Sequence, residues 1–261
     1  MTVDSHDGLK KKALRQQALL RILEKTGYAS VEELTATFAV TPQTIRRDIL
    51  DLHEQGKARR YHGGVALASP IDTGTYRQRR TDNVEIKRRI GRRVAELLPD
   101  GASIFLDAGS TCVAVAEALT ARRGLKVVTY NLRAAMLLME QTDFTIAIPG
   151  GFVRNDDGSI VGEAVPDFVR RFRFDVAVIA VSGIEEDGSM GDDDQHEVAV
   201  VQTAMGRARS VLLATGSDKF YRTPLVSLGS IADVGDVVTD IAPDGALAGV
   251  IAASGVKLHI A

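Results

Sequence analysis

Six short apolar runs alternate with helical segments between residues 85 and 261, and this alternation limits the possible fold more than any other feature. The runs are rich in Val, Ile and Leu and occupy 103–108, 126–130, 144–148, 175–181, 210–215 and 236–239. Helical patterns intervene near 86–98, 111–120, 132–140, 163–171 and 195–208. Short apolar strands separated by helices are typical of a mostly parallel sheet with helices on both faces. The sequence therefore predicts an α/β domain over residues 85–261.

The first 65 residues follow a different pattern, with three short helices and then a basic ribbon. A helix is predicted from residue 9 to about residue 25. Ser30 begins the second helix as its N-cap, and Glu33 completes a capping box. Thr41 caps the third helix, and Pro42 stands at its first position, where no amide donor is lost. This spacing predicts a helix-turn-helix followed by a wing.

The third helix separates apolar from polar side chains. Ile45, Ile49 and Leu52 recur at helical spacing and predict a face buried against the first two helices. The opposite face carries amide, hydroxyl and guanidinium donors near the helix N-terminus, where a recognition helix contacts DNA. The predicted DNA-binding residues, with those of the ribbon "KARRYHGGV", are Thr41, Gln43, Thr44, Arg46, Arg47, Arg59, Arg60 and His62. The alternative is a helical hairpin whose charged face is only solvated.

The charge distribution also separates the two regions. Residues 1–93 carry 19 Lys and Arg against 11 Asp and Glu, a balance of +8. Residues 94–261 carry 13 against 23, a balance of −10. A basic N-terminal part and an acidic C-terminal part predict that only the N-terminal part binds a polyanion. Uneven solvation of the surface is the alternative that charge by itself leaves open.

Two stretches resemble a known family. The string "SVEELTATFAVTPQTIRRDILDLHEQGKARRYHGGV" is similar to the DNA-binding segment of DeoR-type bacterial repressors of sugar metabolism, and the segment from residue 85 to "DAGST" resembles the start of their effector domain. The resemblance implies a winged helix-turn-helix over 1–65 and an effector domain over 85–261 similar in fold to ribose-5-phosphate isomerase. It also implies a phosphorylated sugar or related metabolite as effector. The intervening residues, 66–84, have the composition of a linker.

Loops with glycine, hydroxyl and lysine side chains follow four of the predicted strands. Ligands of such sheets bind beyond the carboxyl ends of the strands, and backbone amides at a helix N-terminus bind anions. The residues that match the family's effector pattern are Asp107, Gly109, Ser110, Thr111, Gly150, Gly151, Gly162, Gly183 and Lys219. A purely structural role of the glycines is the alternative. The sequence departs from the family's pattern at Tyr130, Gln202 and Gly216.

The remaining candidates carry less weight. Asp192, Asp193 and Asp194, with His196 and Glu197, could bind a hard cation, but an acidic loop before a helix is the favoured interpretation. Cys112 is the only cysteine, so an internal disulfide and a multi-cysteine zinc site are excluded, and burial is expected. We expect no metal and no cofactor. No apolar run reaches the roughly 18 residues of a membrane span, and a cytoplasmic protein is the default expectation.

These patterns favour a DNA-binding transcriptional regulator of carbohydrate metabolism genes, most simply a repressor and not an enzyme. The expected partners are an operator in double-stranded DNA, a phosphorylated effector and further copies of the chain. One alternative is an enzyme of the sugar-phosphate isomerase or deaminase type with an added basic domain, which would need a general acid and base in the pocket. Another is a DNA-binding protein whose rear domain only dimerises.

Overall fold

The computed structural model describes residues 4–26, 28–55, 57–61, 64–67 and 76–261. The chain divides into two compact units, Met1–Thr75 and Tyr76–Ala261. We call them the N-terminal unit and the sensor unit. None of the helices in the described ranges is long and apolar enough to cross a membrane.

The N-terminal unit consists of three helices and a small antiparallel sheet. Its elements are α1 (Asp4–Thr26), β1 (Tyr28–Ser30), α2 (Val31–Phe38), α3 (Pro42–Glu54), β2 (Ala58–Tyr61) and β3 (Gly64–Leu67). The sheet has the order β1-β3-β2. The predicted capping box of Ser30 and Glu33 is present, and Thr41 caps α3 with Pro42 in its first turn. Gly27, Gly56 and His62, which the sequence places at helix ends and in the wing, lie outside the described residues.

The core of the N-terminal unit confirms the predicted apolar face of α3. Ile45, Ile49 and Leu52 are buried together with apolar side chains from α1, α2 and β3. One ion pair lies at the edge of this core, where Nε of Arg15 donates to Oδ2 of Asp48 over 2.5 Å. Asp48 is only 1% exposed. A buried carboxylate at the base of α3 thus ties this helix to α1.

The sensor unit alternates strands and helices as the sequence predicts. Its helices are α4 (Tyr76–Thr81), α5 (Val84–Leu97), α6 (Ser110–Leu119), α7 (Leu132–Gln141), α8 (Ala164–Arg170), α9 (Gln195–Met205) and α10 (Gly245–Ser254). Its strands are β4 (Ser103–Leu106), β5 (Lys126–Thr129), β6 (Thr145–Ala147), β7 (Phe152–Val153), β8 (Ile160–Val161), β9 (Phe174–Ile179), β10 (Gly183–Ile184), β11 (Ser189–Asp192), β12 (Ala208–Ala214), β13 (Val226–Ser230), β14 (Asp236–Thr239) and β15 (Lys257–Ile260).

Seven of these strands form one parallel sheet in the order β15-β14-β12-β9-β4-β5-β6. All six predicted strands belong to it. Helices α5, α6 and α7 bury their apolar side chains on one face, and α8, α9 and α10 bury theirs on the other. The chain runs from β4 to β5 and β6 on one side and then returns to β9 on the other. The order therefore reverses between β4 and β9, the place where open parallel sheets bind ligands.

The structure departs from the sequence-based expectations at two places. The predicted linker, 66–84, contains the end of β3 and the whole of α4, and 68–75 lie outside the described residues. A helix as short as α4 has no periodic apolar face to reveal it. The predicted loop at 182–184 enters β10, which pairs with β11 in a small antiparallel sheet completed by β13.

Candidate DNA-recognition helix and effector site

Helix α3 presents its arginines to solvent. Oγ1 of Thr41 accepts a hydrogen bond from the amide of Thr44 over 3.2 Å, which fixes the first turn. Gln43, Arg46 and Arg47 are exposed, and within the described part of the chain no carboxylate forms an ion pair with either guanidinium. Two unpaired arginines on the first turns of such a helix can bind guanine edges or phosphates.

The predicted wing residues are only partly described. Arg59 and Arg60 lie in β2, which pairs with β3 to form the wing. The course of the backbone is described there, whereas the positions of both side chains and the whole of His62 lie outside the described residues. The ribbon that the sequence predicts is present, and contacts of its side chains with DNA remain a prediction.

The carboxyl ends of three neighbouring strands meet at Asp107, which directly follows β4. Its Oδ1 accepts hydrogen bonds from the Tyr130 hydroxyl over 2.6 Å and from the Ala108 amide over 2.7 Å. Its Oδ2 accepts one from the Ala180 amide over 3.0 Å. Tyr130 follows β5 and Ala180 follows β9, so this carboxylate connects the strand ends on both sides of the point where the order reverses.

Burial raises the pKa of Asp107 to about 7, against the lowering effect of its three hydrogen bonds. The side chain is only 4% exposed. Three protein donors already occupy its oxygens, so Asp107 is built to hold the strand ends in place. The Tyr130 hydroxyl, at a position where the sequence departs from the family's pattern, is part of the same network.

The turn after Asp107 leaves the N-terminus of α6 open. Gly109 is the N-cap with φ +100°, a backbone conformation that favours glycine, and a Cβ there would meet nothing within 4 Å. A glycine cap offers no side-chain acceptor, so the first amides of α6 have no capping partner. Ser110 and Thr111 add half-buried hydroxyls to this turn. Uncapped amides at the positive end of a helix dipole form an anion site.

Lys219 lies beyond the end of β12, in a short 3-10 turn. Its Nζ is 3.2 Å from a carboxylate oxygen of Asp218. Burial lowers the pKa of Lys219; Asp218 acts against this, and the positive charges of Arg222 and Arg79 add to the lowering. Lys219 therefore sits among cations that repel it, and an anion would relieve this repulsion.

Arg79 and a further cation, Lys87, come from a segment that the sequence shows as basic without assigning it to the site. Arg79 is on α4, and Lys87 is on α5, with its Nζ donating to the Asp82 carbonyl over 2.8 Å. Burial lowers the pKa of Lys87, Asp218 raises it, and Lys219 and Arg79 lower it further. The mutual effects on pKa indicate that Arg79, Lys87 and Lys219 share one electrostatic environment. The run of Arg and Lys residues along α4 and α5 is the feature of the sequence that could have indicated this cluster of cations.

A second cluster surrounds Arg154, which follows β7. Its guanidinium pairs with Asp157 and Glu197, and its Nη1 donates to Oδ2 of Asp194 over 2.7 Å. Burial raises the pKa of Glu197 to about 8, Asp192 raises it too, and Arg154 opposes both. Asp194 is the N-cap of α9, as an acidic loop before a helix predicts. Within the described ranges, no group of three or more His, Cys, Asp or Glu side chains is arranged to hold a metal ion.

The remaining predicted effector residues lie around the β7–β8 hairpin, whose Ile160 amide donates to the Tyr130 carbonyl over 2.7 Å, and in β10. Gly150 and Gly151 precede β7, and Gly162 follows β8, so these three flank the hairpin that comes after the edge strand β6. Gly183 is in β10, where a Cβ would come within 2.6 Å of the Arg222 carbonyl oxygen. Its missing side chain makes room for that backbone.

The structure shows what contacts the other two positions that depart from the family pattern, and what surrounds the single cysteine. Nε2 of Gln202 donates to the Leu228 carbonyl over 3.0 Å, which joins α9 to β13. A Cβ at Gly216 would lie 2.5 Å from a carboxylate oxygen of Asp218, so the bare backbone accommodates that side chain. Cys112 is fully buried, as expected, and burial raises its pKa well above the usual value.

An exposed recognition helix followed by an α/β unit with an open helix N-terminus at its switch point is typical of a ligand-sensing DNA-binding regulator. Residues 15–70 match the DeoR-like helix-turn-helix domain, and residues 82–241 match the DeoR C terminal sensor domain. The chain belongs to the DeoR family of transcriptional regulators. The expected family and fold class are confirmed, as is the expectation of a DNA-binding transcriptional repressor with a sensor domain.

Several relatives that align with most of this chain carry repressor names. The chain is 42% identical over 233 residues to the glycerol-3-phosphate regulon repressor of Escherichia coli, covering 89% of this chain and 92% of that protein. It is 37% identical to the transcriptional repressor CsqR of the same organism, covering 89% of each. Among solved structures, ribose 5-phosphate isomerase A of Methanocaldococcus jannaschii aligns with 53% of this chain and 55% of its own at 15% identity and a TM-score of 0.41.

Proposed function

We propose that this chain represses genes of glycerol 3-phosphate metabolism, or of a similarly small phosphorylated polyol, and that this compound is its effector. The observation that carries the proposal is the uncapped turn of Gly109–Thr111 together with the crowded cations around Lys219. The name of the Escherichia coli relative supports the choice of compound. In this proposal the phosphate lies on the α6 turn and near Lys219, and Asp107 positions the turn without touching the effector.

The effector test measures thermal stabilisation of the full chain by added ligand, because a ligand that binds only the folded state raises Tm. Glycerol 3-phosphate is expected to raise Tm, whereas glycerol, which lacks the phosphate, is not. The variant Lys219→Ala removes the lysine from the site. Lys126→Ala is the matched control. Lys126 begins β5 and therefore lies at the amino ends of the strands, opposite to the proposed site. Loss of the response in both variants, or in neither, would contradict the assignment of Lys219.

We propose that the N-terminal unit contacts DNA through the exposed side chains of α3, with Thr41 and Thr44 at its first turn, and through Arg59, Arg60 and His62 of the wing. Arg46→Ala and Arg47→Ala should each weaken operator binding by about 1–3 kcal/mol where a base contact is lost. The measurement is binding to the promoter DNA upstream of the chain's own gene at several salt concentrations. Arg21→Ala, an exposed arginine on α1, is the control that removes the same charge. Equal losses of DNA binding in all three variants would mean that Arg46 and Arg47 act only through the net charge of the unit.

We further propose that the chain acts as a homo-oligomer assembled through the sensor unit. The supporting observation is a set of exposed apolar side chains on α7 and around the β7 hairpin, namely Met136, Met139, Ile148, Phe152 and Val153. Symmetric subunits reading repeated half-sites are the usual solution for a small helix-turn-helix unit. Phe152, 81% exposed, gives the sharpest test. Phe152→Glu should lower the mass measured by light scattering, and an unchanged mass would exclude this face.

The relatives are repressors by name, and we propose that the sensor unit binds its effector without converting it. The isomerase alternative requires a free acid and base beside the ligand. Asp107 already accepts from three protein donors, and Glu197 is paired with Arg154. Incubation with ribose 5-phosphate or glucosamine 6-phosphate should leave either compound unchanged, and turnover would restore the alternative.

A further inference from the structure

Two buried polar groups at the carboxyl end of the sheet have no hydrogen-bond partner. They are the hydroxyl of Tyr76 and Nδ2 of Asn131. Tyr76 is 5% exposed and Asn131 is 1% exposed, so water cannot reach either group freely. Both statements hold for the part of the chain that the structure describes. A buried donor without a partner costs stability, and its presence calls for a reason.

Both groups lie beside elements that are already part of the site. The Tyr76 ring lies near two guanidiniums, with its centroid 5.9 Å from Cζ of Arg79 and 5.5 Å from Cζ of Arg133. Asn131 comes directly after Tyr130, whose hydroxyl binds Asp107. Nε of Arg133 donates to the Asp157 carbonyl over 2.9 Å, which fixes this side chain near the β8 hairpin. Tyr76 and Asn131 thus flank the strand ends where the proposed effector site lies.

The carboxamide of Asn131 is oriented by its other atom. Its Oδ1 accepts from the amides of Arg133 and Ala134 over 3.1 and 3.3 Å, as the N-cap of α7. Nδ2 is therefore held in place, and it is left without an acceptor. Nη1 of Arg222, near Lys219, is a third buried donor without a partner. All three groups can donate, so they fit a ligand rich in acceptor oxygens.

We propose that Tyr76 and Asn131 determine specificity by hydrogen-bonding the hydroxyl oxygens of the effector's carbon chain. This inference rests on the proposed function, which assigns the phosphate to the α6 turn. The turn follows β4 and Asn131 follows β5, and adjacent strands lie about 4.8 Å apart. A three-carbon chain with its phosphate on the turn after β4 can therefore reach a donor after β5. Tyr76 brings α4, from the segment with linker composition, into contact with the ligand.

The test compares two ligands that differ only in hydroxyl groups. Glycerol 3-phosphate and propyl phosphate share the phosphate and the three-carbon chain, and propyl phosphate lacks both hydroxyls. The wild-type chain should bind glycerol 3-phosphate more tightly, by about tenfold for each hydrogen bond. Isothermal titration calorimetry gives both affinities on the full chain.

Tyr76→Phe keeps the ring near the two guanidiniums and removes only the hydroxyl. It should weaken binding of glycerol 3-phosphate by about tenfold and leave propyl phosphate unaffected. The Tm of the unliganded variant should stay the same or rise, because an unpaired buried group is removed. Asn131→Ser keeps an N-cap acceptor for α7 and removes the carboxamide, so it should cause the same selective loss. Tyr221→Phe is the matched control, since the Tyr221 hydroxyl bonds Asp244 instead.

The outcomes separate this inference from the proposed function. If wild type binds both ligands with equal affinity, or Tyr76→Phe weakens both equally, the hydroxyl assignment is wrong and the phosphate site stands. A lower Tm of the unliganded Tyr76→Phe variant with unchanged selectivity would assign the hydroxyl a structural role. If neither ligand binds the wild-type chain, the proposed function and this inference are both overturned.

Discussion

The two units handle charge in opposite ways. In the N-terminal unit the arginines proposed to contact DNA, Arg46 and Arg47, are exposed. In the sensor unit Asp107, Glu197 and Lys219 are withdrawn from water, and the pKa of each is displaced by burial. A polyanion as large as DNA meets a protein at its surface, whereas a small effector must be held by groups that have lost their own water. Charged side chains thus serve two kinds of recognition: exposed ones suit a large polyanion, and buried ones suit a small ligand.

Buried carboxylates also differ between the units in how well they are neutralised. Asp48 has its own cation in Arg15, whose pKa is raised chiefly by that hydrogen bond. Glu197 shares Arg154 with Asp157 and Asp194. The N-terminal unit thus holds a balanced pair, and the sensor unit holds more negative than positive charge at one place.

The largest effect is expected where the balanced pair is broken. Asp48→Ala leaves Arg15 at the edge of the core without its carboxylate and should destabilise the N-terminal unit by about 3 kcal/mol, the lower end for a broken buried pair. Asp51→Ala is the matched control on the same helix, because Asp51 is partly exposed and bonds Gln16 and Lys12 of α1. It should cost about 1 kcal/mol or less. Calorimetric unfolding of the full chain measures the loss of stability in both variants. Equal losses would mean that the buried pair of Asp48 stabilises the unit no more than the partly exposed contacts of Asp51 do.

The crowded carboxylates of the sensor unit predict that its stability falls as pH rises. The folded-state pKa of Glu197 is raised to about 8, so its contribution to stability is full below its ordinary value and is lost as pH rises through about 8. Asp107 acts in the same direction up to about pH 7. The Tm of the sensor unit should therefore gain a downward slope with pH from these two groups. Glu197→Gln should reduce the slope, and the exposed Glu117→Gln should not; a slope unchanged by Glu197→Gln would refute the assignment.

The smallest expected effect concerns the first turns of α3 and α6. Thr41 caps α3 through its side chain, whereas α6 begins at Gly109 without such a cap. Thr41→Ala should destabilise the N-terminal unit by about 1 kcal/mol. Ser110→Ala should leave the unfolding of the sensor unit unchanged and weaken the response to glycerol 3-phosphate. A stability loss of similar size in both variants would mean that Ser110 serves the fold and not a ligand.

How much of the structure could be predicted from the sequence depends on how far apart in the chain the contacting residues are. The recognition helix was predictable because its cap, its first-turn proline and its apolar stripe lie within a dozen residues. The parallel sheet was predictable from its apolar strands, and so was the turn at Gly109. The partners of Asp107 were not, because Tyr130 and Ala180 are 23 and 73 residues away. The contribution of α4 was hidden since a six-residue helix inside polar sequence carries no periodic signal.

The bond from Ala180 to Asp107 also sets an order of events during synthesis. The ribosome adds about 5–20 residues per second, so the carboxylate waits several seconds for a donor that is encoded 73 positions later. The central pairing of β4 with β9 waits equally long, whereas the pair of Arg15 and Asp48 in the N-terminal unit joins residues only 33 positions apart and can form earlier. For that interval β4 and β5 have only each other and β6 as strand partners. A nascent chain paused before residue 174 would therefore expose an unpaired, apolar strand edge, and chaperone capture at that stage is the consequence to look for.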